Sequence, residues 1–286
     1  MAETHIVPPL ARPVRLQDYG PGIFSAALTK SALKKAIKNQ YITVNDQVAA
    51  TATWIKGGET ICLSVADELH SQKRLILPLK VLFEDEHLAV IHKPAGMLVS
   101  GNQFKTITRA LAQNLAGSTL HDAQSPQPVH RLDYATTGAL LAGKTSSAIR
   151  ALNQSFADKE VEKTYHAVTI GEMAEQGVIR SAIDDKPSES HFKMIDSVAS
   201  KRFGQLNLVE LSPKTGRRHQ LRKHMAGMGN PILGDALYGE KGLILKGKGL
   251  FLHAYSLAFT HPFTAEKLII EDELPIRFKK IFPVSG

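Results

Sequence analysis

The feature that most constrains this chain is the irregular order of its strand and helix signals. Four apolar runs read as strands, Leu88 to Ile91, Thr164 to Ile170, Leu206 to Leu211 and Phe251 to Ala258. They alternate irregularly with helices, notably Ser146 to Ala157 and Arg218 to Met228. Mixed strands with few helices argue for an α+β fold, a mixed and largely antiparallel central sheet with flanking helices and a catalytic cleft. Ser146 is placed to cap the first helix, whose Ile149, Leu152 and Phe156 make its buried stripe, and Gly229 to close the second.

At 286 residues the chain exceeds the usual single domain. A small module reads out of the segment before Ala66. Leu33, Ala36 and Ile37 recur at helical spacing, with Lys30, Lys34 and Lys38 on the other face. Tyr41 to Val44 and Gln47 to Ala50 then flank Asn45-Asp46, residues that accept a tight hairpin turn, and a strand is expected at Thr60 to Val65. A row of lysines suits either a polyanion or plain solvent. The polar, charge-mixed run that follows reads as a linker. The expected division is residues 1–66, a small α/β module; 67–78, the linker; and 79–286, the larger domain.

Lys and Arg outnumber Asp and Glu by 35 to 27, a formal charge of +8 that favours a polyanionic partner. The single cysteine excludes an internal disulfide framework and any zinc site of several thiolates. Residues 1 to 13 hold Glu3, His5 and three prolines and no apolar run of signal-peptide length, so a cytosolic protein is expected, without a membrane span.

Three segments are richer in chemistry than structure requires. In PVHRLDYATTGALLAGKT, Pro128 to Thr145, a strand-like Pro128 to Leu132 leads into Asp133, and Thr136-Thr137-Gly138 is read as a turn before the apolar strand Ala139 to Ala142. Arg131 and Asp133 alternate with Leu132, so on an extended backbone both polar side chains share a face. That pattern fits a cleft wall, and equally a strand end with a capping Asp and a surface Arg. In KTYHAVTIG, Lys163 to Gly171, Tyr165, Ala167 and Thr169 share one side of a strand. Tyr165 suits the core, and equally a stacking contact with a nucleobase. In PKTGRRHQLRKHMAGMGNPILGDALYG, Pro213 to Gly239, Gly216 turns into a helix on which Arg218 and Arg222 lie four apart on one face, with Lys214, Arg217 and Lys223 enlarging the positive patch. His219 and His224 are five apart and lack zincin spacing, so no metal site is expected.

Taken together, HRLDYATTG, KTYHAV and TGRRHQLRKHMAGMGNPILGDALYG, with HKPAGMLVS and LHAYSLAFTHPFTAEK in support, resemble the signature of the RluA-type RNA pseudouridine synthases. The N-terminal segment, best in its ITVND hairpin, resembles the S4-like RNA-binding module that accompanies some members. The resemblance implies an isomerase that turns uridine in structured RNA into pseudouridine, in ribosomal RNA or transfer RNA, with ribosomal RNA favoured. It implies Asp133 as the catalytic carboxylate, Tyr165 against the target base, Arg222 paired with Asp133, and Arg131 helping to hold the place of the flipped nucleotide. Lys30, Lys34, Lys38, Arg217 and Arg218 are the expected RNA contacts. Thr137 stands where Ser is more usual, His92 where Asn often precedes Lys-Pro, and Arg218 where Thr is common.

The chemistry asks for no cofactor, because a carboxylate can act as nucleophile or base and proton transfers complete the isomerisation. Whether Asp133 attacks the sugar, attacks the base or removes a proton stays open at this level. One rival is a catalytically silent RNA-binding or ribosome-assembly factor, against which Asp133, Tyr165 and Arg222 stand intact. The other, a glycoside hydrolase, requires a second carboxylate facing Asp133.

Overall fold

The computed structural model describes residues 2–64, 75–245 and 247–283, and the chain divides into a unit of Met1–Arg74 and a unit of Leu75–Gly286. In the first unit, β1 (Ala2–Ile6), β2 (Val14–Arg15) and α1 (Leu16–Tyr19) precede α2 (Lys30–Lys38), the expected basic helix. Thr29 begins α2 by accepting the Ala32 N–H at 3.1 Å. Leu33 and Ile37 are buried, while Lys30, Lys34 and Lys38 stand exposed. β3 (Ile42–Val44) and β4 (Gln47–Val48) form the expected hairpin, with Asn45 and Asp46 at φ 48° and 63° in its turn.

β5 (Trp54–Ile55) pairs with β2, and β6 (Thr60–Ser64) takes the centre of a four-stranded sheet ordered β1-β6-β3-β4. β1 has no strong strand pattern of its own. It forms because β6 offers a free edge, which AETHI pairs in antiparallel register from Ala2 opposite Ser64 to Ile6 opposite Thr60. Val65 and most of the expected linker lie outside the described residues, and 75–80 has no regular structure.

The second unit is built on a ten-stranded sheet. Its elements run β7 (Val81–Glu84), β8 (Leu88–Lys93), α3 (Ile107–Asn114), β9 (Ala123–Pro128), β10 (Thr137–Thr145), α4 (Ser146–Ala157), β11 (Glu162–Ile170), β12 (Gln176–Ile179), β13 (Ser190–Ser200), β14 (Gly204–Pro213), α5 (Gln220–Gly227), β15 (Leu252–Thr260), β16 (Lys267–Glu271) and α6 (Ile276–Lys279). The order is β12-β13-β14-β11-β15-β10-β8-β7, with β16 on β15 and β9 on β10. Among the strand pairs of the described residues only β10 and β15 run parallel, so the sheet is mixed and largely antiparallel, as expected.

Several local expectations are corrected. Thr145, not Ser146, caps α4, because its extended backbone lets Oγ1 accept the Ala148 N–H at 3.1 Å. α5 starts at Gln220 rather than Arg218, because His219 adopts left-handed φ 56° and ψ 27°. Arg218 is therefore outside the helix and exposed, while Arg222 is inside it and buried, so the two do not share a helix face. Among the described residues no helix is long and apolar enough to cross a membrane.

Candidate active site

The segment before β10 is not a strand through Leu132. β9 ends at Pro128, and after one more backbone bond, Val129 N–H to Leu141 O at 3.1 Å, the Leu141 N–H goes to the ring Nε2 of His130 at 2.9 Å. A side chain thus replaces the next backbone partner and releases the chain from the sheet. The alternation survives without the ladder: Leu132 is buried in the core, Arg131 is exposed and Asp133 is half-buried. The His130 pKa falls to about 3, chiefly through burial and then through the Lys163 charge, which keeps its ring neutral as an acceptor.

The turn also lies earlier than expected. The Thr136 N–H donates to Asp133 O at 3.1 Å, and Thr137 and Gly138 already belong to β10. Gly138 is required there: at φ 119° a Cβ would stand 2.2 Å from Ala254 O on the parallel partner β15. Lys93, fully buried, donates from Nζ to Thr136 O at 2.8 Å, Pro94 O at 3.0 Å and Tyr134 O at 3.4 Å, gathering the loop that carries Asp133. Burial lowers its pKa to about 8, against the pull of the Asp133 charge. On the far side, Thr137 Oγ1 lies 2.8 Å from His253 Nδ1. His92, where Asn was the commoner residue, hydrogen-bonds Asp272.

Tyr165 projects from β11, which is separated from β10 by β15 alone. It packs against the buried cluster that includes Ala167 and, from α5, Leu221 and Met225, while its hydroxyl has no hydrogen-bond partner among the described residues. Burial, and then the Asp133 charge, push its pKa well above the ordinary tyrosine value, so it stays a neutral phenol.

Arg222 meets Asp133 less directly than the resemblance implies. Its Nη1 is 3.7 Å from Asp133 Oδ2, whereas Nε and Nη2 each donate at 2.7 Å to the two oxygens of buried Asp235. Asp235 Oδ1 also accepts the N–H groups of Leu237 at 2.9 Å and Tyr238 at 3.1 Å. Burial opposes the Arg222 charge, but Asp235 and then Asp133 outweigh it and raise its pKa. His219 Nε2 is 3.8 Å from Asp133 Oδ1, and its Nδ1 is 2.9 Å from the Tyr238 hydroxyl. The Arg222 guanidinium lies 5.0 Å from the Tyr238 ring centre. Asp133, Arg222, Asp235, Tyr238 and His219 thus close a ring of contacts. Burial dominates in lowering the His219 pKa, with Asp133 opposing, so its imidazole tends to neutrality.

These groups open on a cleft of about 510 Å³, lined by Arg131, Asp133, Tyr165, Arg217, Arg218 and Arg222 among others. Lys30, Lys34 and Lys38 belong to the first unit. Asp133 is the only carboxylate among the lining residues, set among cations. Sequence reasoning assigned no role to Lys93, His219, Gln220, Asp235 or Tyr238. Gln220 holds the arginine-bearing loop, accepting from Thr215 Oγ1 at 2.7 Å and the Arg217 N–H at 3.0 Å. The signal for Asp235 was present as a buried-type carboxylate in GDALYG thirteen residues after an arginine, a spacing that means nothing until the chain folds back.

The family described as RNA pseudouridylate synthase matches residues 87–227, the span from β8 through α5. The ribosomal large subunit pseudouridine synthase C of Salmonella typhimurium strain LT2 is 33% identical over 281 residues, covering 88% of this chain and 83% of the relative. The ribosomal large subunit pseudouridine synthase D of Nitrosomonas europaea is 30% identical over 273 residues, covering 86% of this chain and 77% of the relative. Among solved structures, human RNA pseudouridylate synthase domain containing 4 matches with a TM-score of 0.56 and 27% identity over 70% of this chain and 90% of its own. With the family match, both relatives and a solved fold agreeing on the domain that carries the cleft, the chain belongs to the RNA pseudouridylate synthase family, isomerases that act on RNA.

Proposed function

We propose that this synthase modifies ribosomal RNA and that Asp133 is its catalytic carboxylate. The carrying observation is that Asp133 is the one carboxylate lining the cleft, with Arg222 and His219 at its two oxygens and Tyr165 on the adjoining wall. The bond from the uracil nitrogen to the ribose breaks, the base turns, a ring carbon of uracil bonds the same sugar carbon and loses its proton, and the freed nitrogen gains a proton. A carboxylate aimed by a guanidinium can open this sequence as nucleophile or base. Two-carboxylate glycoside cleavage has no second acid in the cleft lining.

A base in an RNA stem must leave the stack to reach such a group, at a cost of about a few kcal/mol. Tyr165 then offers its ring to the everted uracil and a neutral hydroxyl to a polar atom. Arg131, Arg217 and Arg218 stand exposed at the cleft to receive phosphates. Residues 1–66 serve as the RNA-binding module, with Lys30, Lys34 and Lys38 as its contacts, and 79–286 as the catalytic domain. The ribosomal substrate is supported by the names of the relatives, and a lone cysteine with an RNA substrate fits a cytoplasmic enzyme.

The test is to incubate the purified chain with unmodified ribosomal RNA and, separately, with transfer RNA, and map pseudouridine in each. Specific sites in ribosomal RNA are expected. Product confined to transfer RNA overturns the substrate assignment, and product in neither overturns the reading as a whole.

A further inference from the structure

A second cavity, of about 370 Å³, adjoins the cleft and shares Lys159, Lys163, Pro213, Lys214 and Thr215 with its wall. Three ammonium groups come from three elements. Lys159 follows α4 at left-handed φ 62°, Lys163 lies two residues before Tyr165 on the same face of β11, and Lys214 follows β14. None has a carboxylate oxygen within 4.0 Å among the described residues. Two acids also line this cavity: Glu189, committed through Oε2 to Arg180 at 2.9 Å and Oε1 to His191 at 2.7 Å, and the exposed Glu162.

Lys159 and Lys214 are exposed and Lys163 is half-buried, so water and salt screen their repulsion in part, and a phosphate placed among them would relieve the rest. Burial and then Lys214 lower the Lys163 pKa, so these two groups feel one another. We infer that Lys159, Lys163 and Lys214 form a phosphodiester trench that carries the RNA strand away from the target nucleotide at Tyr165. The inference rests on the reading of the cleft as the pseudouridine site. It adds a strand direction, from Tyr165 past Lys163 into the second cavity, on the side of Lys214 away from Arg217 and Arg218 of the same loop.

The probe is a fluorescein-labelled oligouridylate of twenty residues, with affinity measured by anisotropy from low to moderate KCl. Each phosphate contact on a single strand contributes a slope of roughly 0.7 in log K against log salt. Replacing the three lysines with Ala is expected to reduce the slope by about 2 and to weaken binding at the lowest salt at least tenfold. Replacing them with Arg is expected to restore both. An unchanged slope in the Ala variant overturns the trench, and so does an Arg variant that fails like the Ala one, since packing rather than charge would then matter. Because oligouridylate binding does not depend on turnover, absence of pseudouridine formation by the parent enzyme refutes the functional reading while leaving the trench to be judged by the slope.

Discussion

The cations of the two units are held in opposite ways. On α2, Lys30, Lys34 and Lys38 stand in solvent, and among the described residues only Lys30 has a carboxylate, Asp18 at 2.6 Å, itself exposed. In the cleft, Arg222 is buried and locked at 2.7 Å on both oxygens of Asp235, leaving Nη1 to face Asp133. An exposed ammonium on a flexible stem is screened by salt and retains its rotamers, so it supplies attraction without aim. A buried bidentate guanidinium has lost that freedom in folding and can hold one partner in one place. Affinity and chemistry are thereby assigned to different kinds of positive charge.

The sharpest attempt to break this contrast is Asp133→Asn, which keeps the shape and removes the carboxylate. Turnover is expected to fall by about 10⁴-fold or more, with RNA affinity nearly unchanged. Single-turnover pseudouridine formation beside equilibrium binding checks it, and substantial residual turnover refutes the role of Asp133. Next in size is Asp235→Asn, which touches no substrate but leaves Arg222 half-anchored. Breaking a buried pair this way costs about 3–5 kcal/mol of stability, and a loosened guanidinium is expected to lower turnover by about 10²-fold. If turnover in the folded variant matches the parent, Arg222 does not depend on its clamp.

Much of this contrast was legible in the chain, and the illegible part has a common cause. The α2 helix, the Asn45-Asp46 hairpin and the alternation of Arg131, Leu132 and Asp133 are local, set by spacing within a few residues. The Arg222–Asp235 clamp, the Lys93 contacts with carbonyls at 134 and 136, and β1 on β6 join residues far apart in sequence, and no periodicity reports them. The start of α5 was misread because Arg218 and Arg222 have helical spacing, whereas His219 in left-handed geometry breaks it. The end of β9 was misread because a histidine ring takes a backbone N–H that a strand pattern assigns to the ladder.

Lys93 is a third kind of cation, buried like Arg222 but held by carbonyls, with no ion pair among the described residues. Its pKa of about 8 lies below the ordinary 10.5, so between those values the unfolded chain binds more protons than the native one. Stability from this group therefore rises with pH across that window, by on the order of 3 kcal/mol at most. Denaturant unfolding at pH 7.5 and at 10.5 should show that rise in the parent relative to Lys93→Met. The same difference in both proteins refutes the depressed value.

The smallest effects are expected where charge is most exposed. Lys34→Ala with Lys38→Ala removes two ammonium groups that have no carboxylate within 4.0 Å among the described residues, and each is expected to take roughly 0.7–0.9 from the salt slope of RNA binding. Lys30→Ala should take less from the salt slope than either, because Lys30 is already engaged by Asp18 rather than free for a phosphate. The two roles of Lys30 separate in Asp18→Asn, which frees the ammonium and should strengthen binding, whereas Lys30→Ala with Asp18→Asn together should return close to the parent. Affinities at low and moderate salt for the four variants decide the matter. If Lys30→Ala weakens binding as much as the double change at 34 and 38, the pair with Asp18 does not persist in the complex, and exposed cations on α2 are interchangeable after all.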